Sequence, residues 1–179
     1  MSIIGKKIKG YKITNFIDSG GFGSVYKAVK NNNLYAVKVF REDYVLKEYR
    51  EKGEDNRIKR EIDIMKSVSH DNLIKYIDDF KQEIAEIPSY FLVMEFAEGV
   101  NLRKELNKKL FNEEEALKIF HKILDGVNAL HSVRGEGEDT GIIHRDLNPD
   151  NIIINNGEVK ILDYGISKII DYTSITSTG

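Results

Sequence analysis

His144-Arg145-Asp146-Leu147-Asn148-Pro149-Asp150-Asn151, followed directly by Ile152-Ile153-Ile154, is the stretch on which the fold of this chain turns. Twelve residues after Asn151 stands Asp163-Tyr164-Gly165, entered through Val159-Lys160-Ile161-Leu162. The isoleucine triplet and the run into Asp163 read as short buried strands, which puts an Asn/Asp-rich loop and an aspartate at strand ends. Either segment alone has a bland explanation: a chance tripeptide in one case, a turn-capping aspartate in the other. Their occurrence together, in this order, directs attention upstream.

The first third of the chain is strand-like. Tyr11 to Ile17 and Ser24 to Val29 alternate, and Leu34 to Phe40 is rich in β-branched and aromatic residues. Asp18-Ser19-Gly20-Gly21-Phe22-Gly23 separates the first two runs and Asn31-Asn32-Asn33 the next two, which predicts a three-stranded antiparallel meander. Glycines in such a hairpin let backbone approach phosphate oxygens closely. In a dinucleotide-binding unit they would lead into a helix; here they lead into a strand. Fifteen residues beyond Gly23, Lys38 lies inside an apolar strand, where an ammonium group needs a charged partner.

After the charged segment 41–56, Ile58, Ile62, Met65 and Val68 recur at helical spacing, with Glu61 on the polar side of that helix. Strands are expected around Leu73 to Phe80 and Tyr90 to Phe96. A longer helix is expected over Glu113 to His131, with Ala116, Ile119, Phe120, Ile123, Leu124, Val127 and Leu130 as its apolar positions. Asn112 and Glu115 have the spacing of a capping box at its start. Ser132 to Gly141 reads as an exposed loop. The order of elements does not fit the regular strand–helix alternation of a doubly wound fold.

Composition narrows the classes. Of 179 residues, 41% are hydrophobic and 31% charged, which suits a globular chain with a sizeable core. With 27 Lys plus Arg against 29 Asp plus Glu, the net charge of −2 gives no basic excess for nucleic acid. The absence of cysteine excludes disulfides, Cys-ligated zinc and a cysteine nucleophile. No apolar run suits a secretory signal or a membrane span, so no nucleic-acid or membrane partner is expected and the expected location is cytoplasmic.

Taken together, the glycine hairpin with its strand lysine, the Arg60-Glu61-Ile62 helix, the Phe91-to-Gly99 segment, the H-R-D-x-x-x-x-N loop and the D-Y-G triplet resemble the eukaryotic-type serine/threonine protein kinase domain. The resemblance implies an α+β fold. Residues 1–97 would form an N-lobe of antiparallel sheet plus one regulatory helix, and 98–179 an incomplete, mainly helical C-lobe ending in the activation segment. It implies ATP and Mg²⁺ as cofactors, with Mn²⁺ as a substitute, and a protein substrate phosphorylated on Ser or Thr. Lys38, aimed by Glu61, would meet the α- and β-phosphates; Asp146 would accept the proton of the substrate hydroxyl; Asn151 and Asp163 would hold the metal. Ile17, Gly20, Gly21, Phe22, Gly23, Val25, Ala36 and Ile153 would surround the nucleotide. Met94 would be the gatekeeper, the Glu95 and Ala97 backbones would face the adenine edge, and Asn101 would lie near the ribose. Met65, Tyr76, His144 and Tyr164 match the stacked column of an assembled active state.

Two residues depart from the pattern. Asp18 replaces the first glycine, and a carboxylate beside phosphates predicts weaker nucleotide binding. Asn148 replaces the lysine that serine/threonine kinases use on the γ-phosphate, and loss of that contact predicts turnover slower by about 10²- to 10³-fold. The hydroxyl-rich end, Tyr172, Thr173, Ser174, Thr176, Ser177 and Thr178, resembles an activation loop whose phosphorylation would pair with Arg145. No A-P-E segment follows, so the long helix is expected to leave an apolar face for a partner or a further C-terminal segment, and the chain by itself to be marginally stable and a poor phosphotransferase. The alternatives are a pseudokinase or ATP-binding interaction module, and a small-molecule kinase of the aminoglycoside or choline type.

Overall fold

Period-two alternation builds the first sheet. β1 (Lys7–Ile8), β2 (Tyr11–Gly20), β3 (Gly23–Lys30) and β4 (Asn33–Phe40) pair antiparallel in chain order. β5 (Tyr76–Ile84) and β6 (Ile87–Glu95) complete a six-stranded sheet in the order β1-β2-β3-β4-β6-β5. One face of it buries Ile8, Tyr11, Ile13, Ala28, Val37, Phe91 and Val93. Aromatic rings continue that layer: Tyr11 meets Tyr35 edge-on at 5.2 Å, and Phe80 stacks on Phe91 at 5.0 Å. Such pairs add to the simple burial of area. The structure is a computed structural model that describes residues 3–21, 23–40, 45, 57–84, 87–133, 140–164 and 168–171.

The chain divides into two compact units, one of Met1–Ile62 with Lys75–Phe96, the other of Asp63–Ile74 with Ala97–Gly179. The division falls within α1 (Arg57–Ser67), where Ile58, Ile62, Ile64 and Met65 are buried as the helical stripe requires. Glu61, on the polar side of that stripe, is buried at 7% exposure because it accepts from Lys38 of the sheet, the partner that the resemblance gives it. The strand expected from Leu73 begins instead at Tyr76; Leu73 makes only a single parallel bridge to Ile161.

In the second unit, β7 (Val100–Asn101), β9 (Ile152–Asn155) and β10 (Glu158–Ile161) form a small sheet in the order β10-β9-β7. β8 (Thr140–Ile143) pairs antiparallel with β11 (Lys168–Asp171). Thr140 and Gly141 therefore belong to a strand, which shortens the loop expected over 132–141; Arg134 to Asp139 lie outside the described residues. Two helices accompany these strands, α2 (Leu102–Leu106) and α3 (Glu113–His131). At the start of α3, the Asn112 side chain accepts from Glu115 N at 2.9 Å and the Glu115 carboxylate accepts from Asn112 N at 3.2 Å, which completes the expected box. Ile119 and Ile123 pack against Ile152, Ile154 and Val159. Leu117, Phe120 and Leu124 of the same helix remain 49%, 54% and 46% exposed, so its apolar residues do not form one buried stripe.

Segment 72–74 is bound to β10 by backbone. Ile161 N donates to Asn72 O at 2.8 Å, Ile74 N donates to Ile161 O at 3.0 Å, and the buried Asn72 amide donates to Val159 O at 3.1 Å. α3 comes close to this junction at Gly126, where a Cβ would lie 2.8 Å from Ile161 Cδ1 and 3.3 Å from Asn72 O. Among the described residues no helix is long and apolar enough to cross a membrane.

Candidate functional site

Lys38 sits at the middle of β4, opposite Val25 of β3 and Leu92 of β6. Its ammonium donates to Glu61 Oε1 of α1, and both side chains are more than nine-tenths buried. Taking two charges out of water is costly, and burial of this kind is sustained only by close, hydrogen-bonded pairing. The partners lie 23 positions apart, so the pair depends on helix and sheet being held together within the first unit.

The hairpin preceding Lys38 distinguishes its glycines. A Cβ on Gly23 would lie 2.3 Å from Val39 O, so strand packing itself forbids a side chain there. Gly20 and Gly21 are different: a Cβ on either meets nothing within 4 Å, and neither has a positive φ. Neither packing nor backbone conformation demands glycine at those positions. Open space with no Cβ to fill it fits a backbone that a phosphate approaches. Asp18 is exposed and its carboxylate accepts from Ser19 N at 2.7 Å. Phe22 lies outside the described residues. Ala36 faces Met94 across the β4–β6 pair, Met94 is 8% exposed, and Val25 and Ile17 lie in β3 and β2. The Glu95 N–H already donates to Lys75 O at 2.9 Å.

In the second unit the loop 144–151 and the turn at Asp163 are tied together through one residue. Leu162 N donates to Asn151 O at 2.8 Å, while Leu162 O lies 2.8 Å from His144 Nε2. His144 Nδ1 accepts from Asp146 N at 3.3 Å, which leaves the ring proton on Nε2 to donate to Leu162 O. The 3%-exposed histidine is thus a structural tie, as its burial in the sequence pattern suggests. Two residues here adopt left-handed backbone without being glycine: Arg145 at φ 65° and Asp163 at φ 54°. Such conformations cost about 1–3 kcal/mol each and concentrate at functional sites. Next to Asp163, Tyr164 is 1% exposed and its hydroxyl donates to Ile74 O at 2.5 Å. Met65 is likewise buried, whereas Tyr76 is only half-buried.

Asp146 is exposed and held by two amides. Asn151 Nδ2 donates to Asp146 O and to Asp146 Oδ2, both at 2.9 Å. Asn148 Nδ2 donates to Asp146 O at 3.1 Å and to Asp146 Oδ1 at 3.0 Å. With both Asn151 amide hydrogens directed at Asp146, its Oδ1 is left as an acceptor. That oxygen and the exposed Asp163 carboxylate make a hard-oxygen donor set, which fits Mg²⁺ bound through one or two protein ligands plus phosphate oxygens. Among the described residues no cluster of three or more His, Cys, Asp or Glu could hold a metal alone. Asn101 caps α2, accepting from Lys104 N at 2.8 Å, and pairs with Ile153 across β7 and β9. Ala97 lies just beyond β6 and belongs to the second unit. The hydroxyl-bearing residues from Tyr172 onward lie outside the described residues.

Comparison with known proteins bears on this arrangement as a whole. The family model described as protein kinase domain matches residues 11–178. The chain is 33% identical over 162 residues to CBL-interacting serine/threonine-protein kinase 5 of Arabidopsis thaliana, covering 89% of this chain and 33% of that protein. It is 32% identical to a probable serine/threonine-protein kinase of Bifidobacterium longum, over 94% of this chain and 21% of the relative. It is 31% identical to serine/threonine-protein kinase PrkC of Bacillus subtilis, over 98% of this chain and 26% of that protein. The chain therefore spans between a fifth and a third of the length of these relatives.

Proposed function

The chain belongs to the protein kinase domain family, whose model matches residues 11–178, and from that premise we propose that it transfers the γ-phosphoryl group of ATP to Ser or Thr hydroxyls of a protein. The observation that supports the proposal is the union of the 144–151 loop and the Asp163 turn through Leu162, with the Asp146 carboxylate held by Asn148 and Asn151 in that loop. The relatives are serine/threonine-protein kinases, and that kinship suggests the substrate class.

Each residue has a role that its setting supports. Lys38, oriented by Glu61, neutralises and positions the α- and β-phosphates. Gly20 and Gly21 leave the hairpin backbone open to the phosphates, and Gly23 lets β3 pack against β4 beside them. Asp146 accepts hydrogen bonds on both carboxylate oxygens and orients the substrate hydroxyl, taking its proton as the new P–O bond forms. Asn151 Oδ1 and the Asp163 carboxylate would hold Mg²⁺, which when bound supplies charge neutralisation at the transferred phosphoryl group. Within the first unit, Ile17, Val25 and Ala36 would offer apolar surface to the adenine, with Met94 as gatekeeper and the Glu95 backbone along its edge.

The substrate class is testable directly. With γ-labelled ATP and Mg²⁺, label is expected in Ser/Thr peptides, recovered as phosphoserine or phosphothreonine, and not in aminoglycosides or choline. Label confined to the small molecules, or none in peptide, overturns the proposal.

A further inference from the structure

Asn148 stands where the resemblance expects a lysine on the γ-phosphate, yet its side chain is committed elsewhere. Its Nδ2 donates to Asp146 Oδ1 at 3.0 Å and to Asp146 O at 3.1 Å, and its Oδ1 accepts from Asp150 N at 2.9 Å. Three residues on, across the single 3-10 turn Pro149–Asn151, Asn151 Nδ2 donates to Asp146 Oδ2 and Asp146 O, both at 2.9 Å. Each oxygen of the carboxylate thus receives one amide, and the Asp146 carbonyl receives both. A carboxylate held at one oxygen can still swing about its terminal torsion, which is broad; held at both oxygens from two sides, it has one plane. Pro149 fixes φ at the head of the turn, and the Asn148 cap on Asp150 N sets the turn's pitch, so the two amides are presented together.

We propose that Asn148 is a positioning residue that acts through Asp146: it locks the plane of the carboxylate that receives the substrate hydroxyl, and does not contact the transferred phosphate. The assignment rests on the phosphotransfer function proposed above. Its chemistry differs from the lysine's. An amide adds no charge at the phosphate but pre-orients the acceptor, and a small misplacement of a reacting group is worth about 10²-fold in rate.

The test separates the cap from the clamp. Asn148→Ser keeps an oxygen suited to capping Asp150 N but is too short to reach Asp146 Oδ1; Asn148→Asp keeps the cap and replaces the donor by an acceptor. Steady-state peptide phosphorylation is expected to show kcat reduced about 10- to 100-fold in both variants, with KM for ATP within about twofold of the parent. In an Asp146→Asn background Asn148→Ser is expected to change kcat no further. A raised KM for ATP at unchanged kcat, or a full loss repeated in the Asp146→Asn background, would assign Asn148 to the phosphate and overturn the proposal. A second readout needs no turnover. In nucleotide-free protein the Asn148 side-chain amide resonances are expected to move on Asp146→Ala but not on Asp163→Ala. Unmoved resonances in Asp146→Ala overturn the clamp even if the parent phosphorylates peptide; moved resonances in a protein that transfers no phosphate leave the clamp standing and sink the phosphotransfer function instead.

Discussion

Tyr11 is the residue at which the sheet's construction becomes measurable by pH. Its ring is 3% exposed, stacked with Phe80 at 6.3 Å and capped by the Lys30 ammonium 4.1 Å from its centroid. Burial, and after it the Asp78 and Tyr35 charges, push its hydroxyl above the ordinary value of 10.0, while Lys9 opposes them. A phenol whose folded pKa is raised stabilises the fold fully below the unfolded value and loses that contribution as pH rises through the folded one. Tyr11→Phe keeps the rings and removes the titration. Denaturant unfolding should therefore show the parent losing stability relative to Tyr11→Phe only above about pH 10; a difference that does not vary with pH would show that Tyr11 does not titrate with folding. The Lys38–Glu61 pair, 23 positions apart, was legible only through the resemblance, because helical spacing alone puts Glu61 on a polar side and names no partner for it. Asn148 is legible as a departure from a pattern, whereas its hold on Asp146 depends on side-chain geometry that spacing does not encode.

At the scale of elements, local signals translated best. The Asn112–Glu115 capping box and the 113–131 helix were readable because both partners lie within one turn. β2, β3 and β4 were readable from alternation and turn residues, though alternation could not show the register shifts between Ile13 and Asn15 and between Phe16 and Asp18. The Leu73 boundary was missed because an apolar run looks the same whether it enters a ladder or, as here, makes one bridge. The glycine hairpin yields a prediction at this scale. Gly23→Ala places a methyl 2.3 Å from Val39 O and is expected to cost about 1–3 kcal/mol in unfolding experiments. Gly20→Ala enters open space and is expected to change stability by less than about 0.5 kcal/mol while weakening ATP binding. If Gly20→Ala bound ATP as the parent does, the hairpin backbone would not be what meets the phosphates.

For the molecule as a whole, family and fold class were legible because several short motifs keep their order over residues 11–178. The left-handed backbone at Arg145 and Asp163, and the Leu162 link that ties their loops, were not, since no residue type at those positions announces them. Those features give the second unit a formed arrangement around Asp146, and phosphoryl transfer through that carboxylate is the central claim. The direct test is single-turnover transfer from Mg²⁺–ATP to a Ser/Thr peptide by the parent and by Asp146→Asn, with nucleotide affinity and unfolding midpoint measured alongside. The expected result is a rate about 10²- to 10⁴-fold lower in Asp146→Asn at unchanged affinity and midpoint; a parent that transfers phosphate no faster than Asp146→Asn would contradict it.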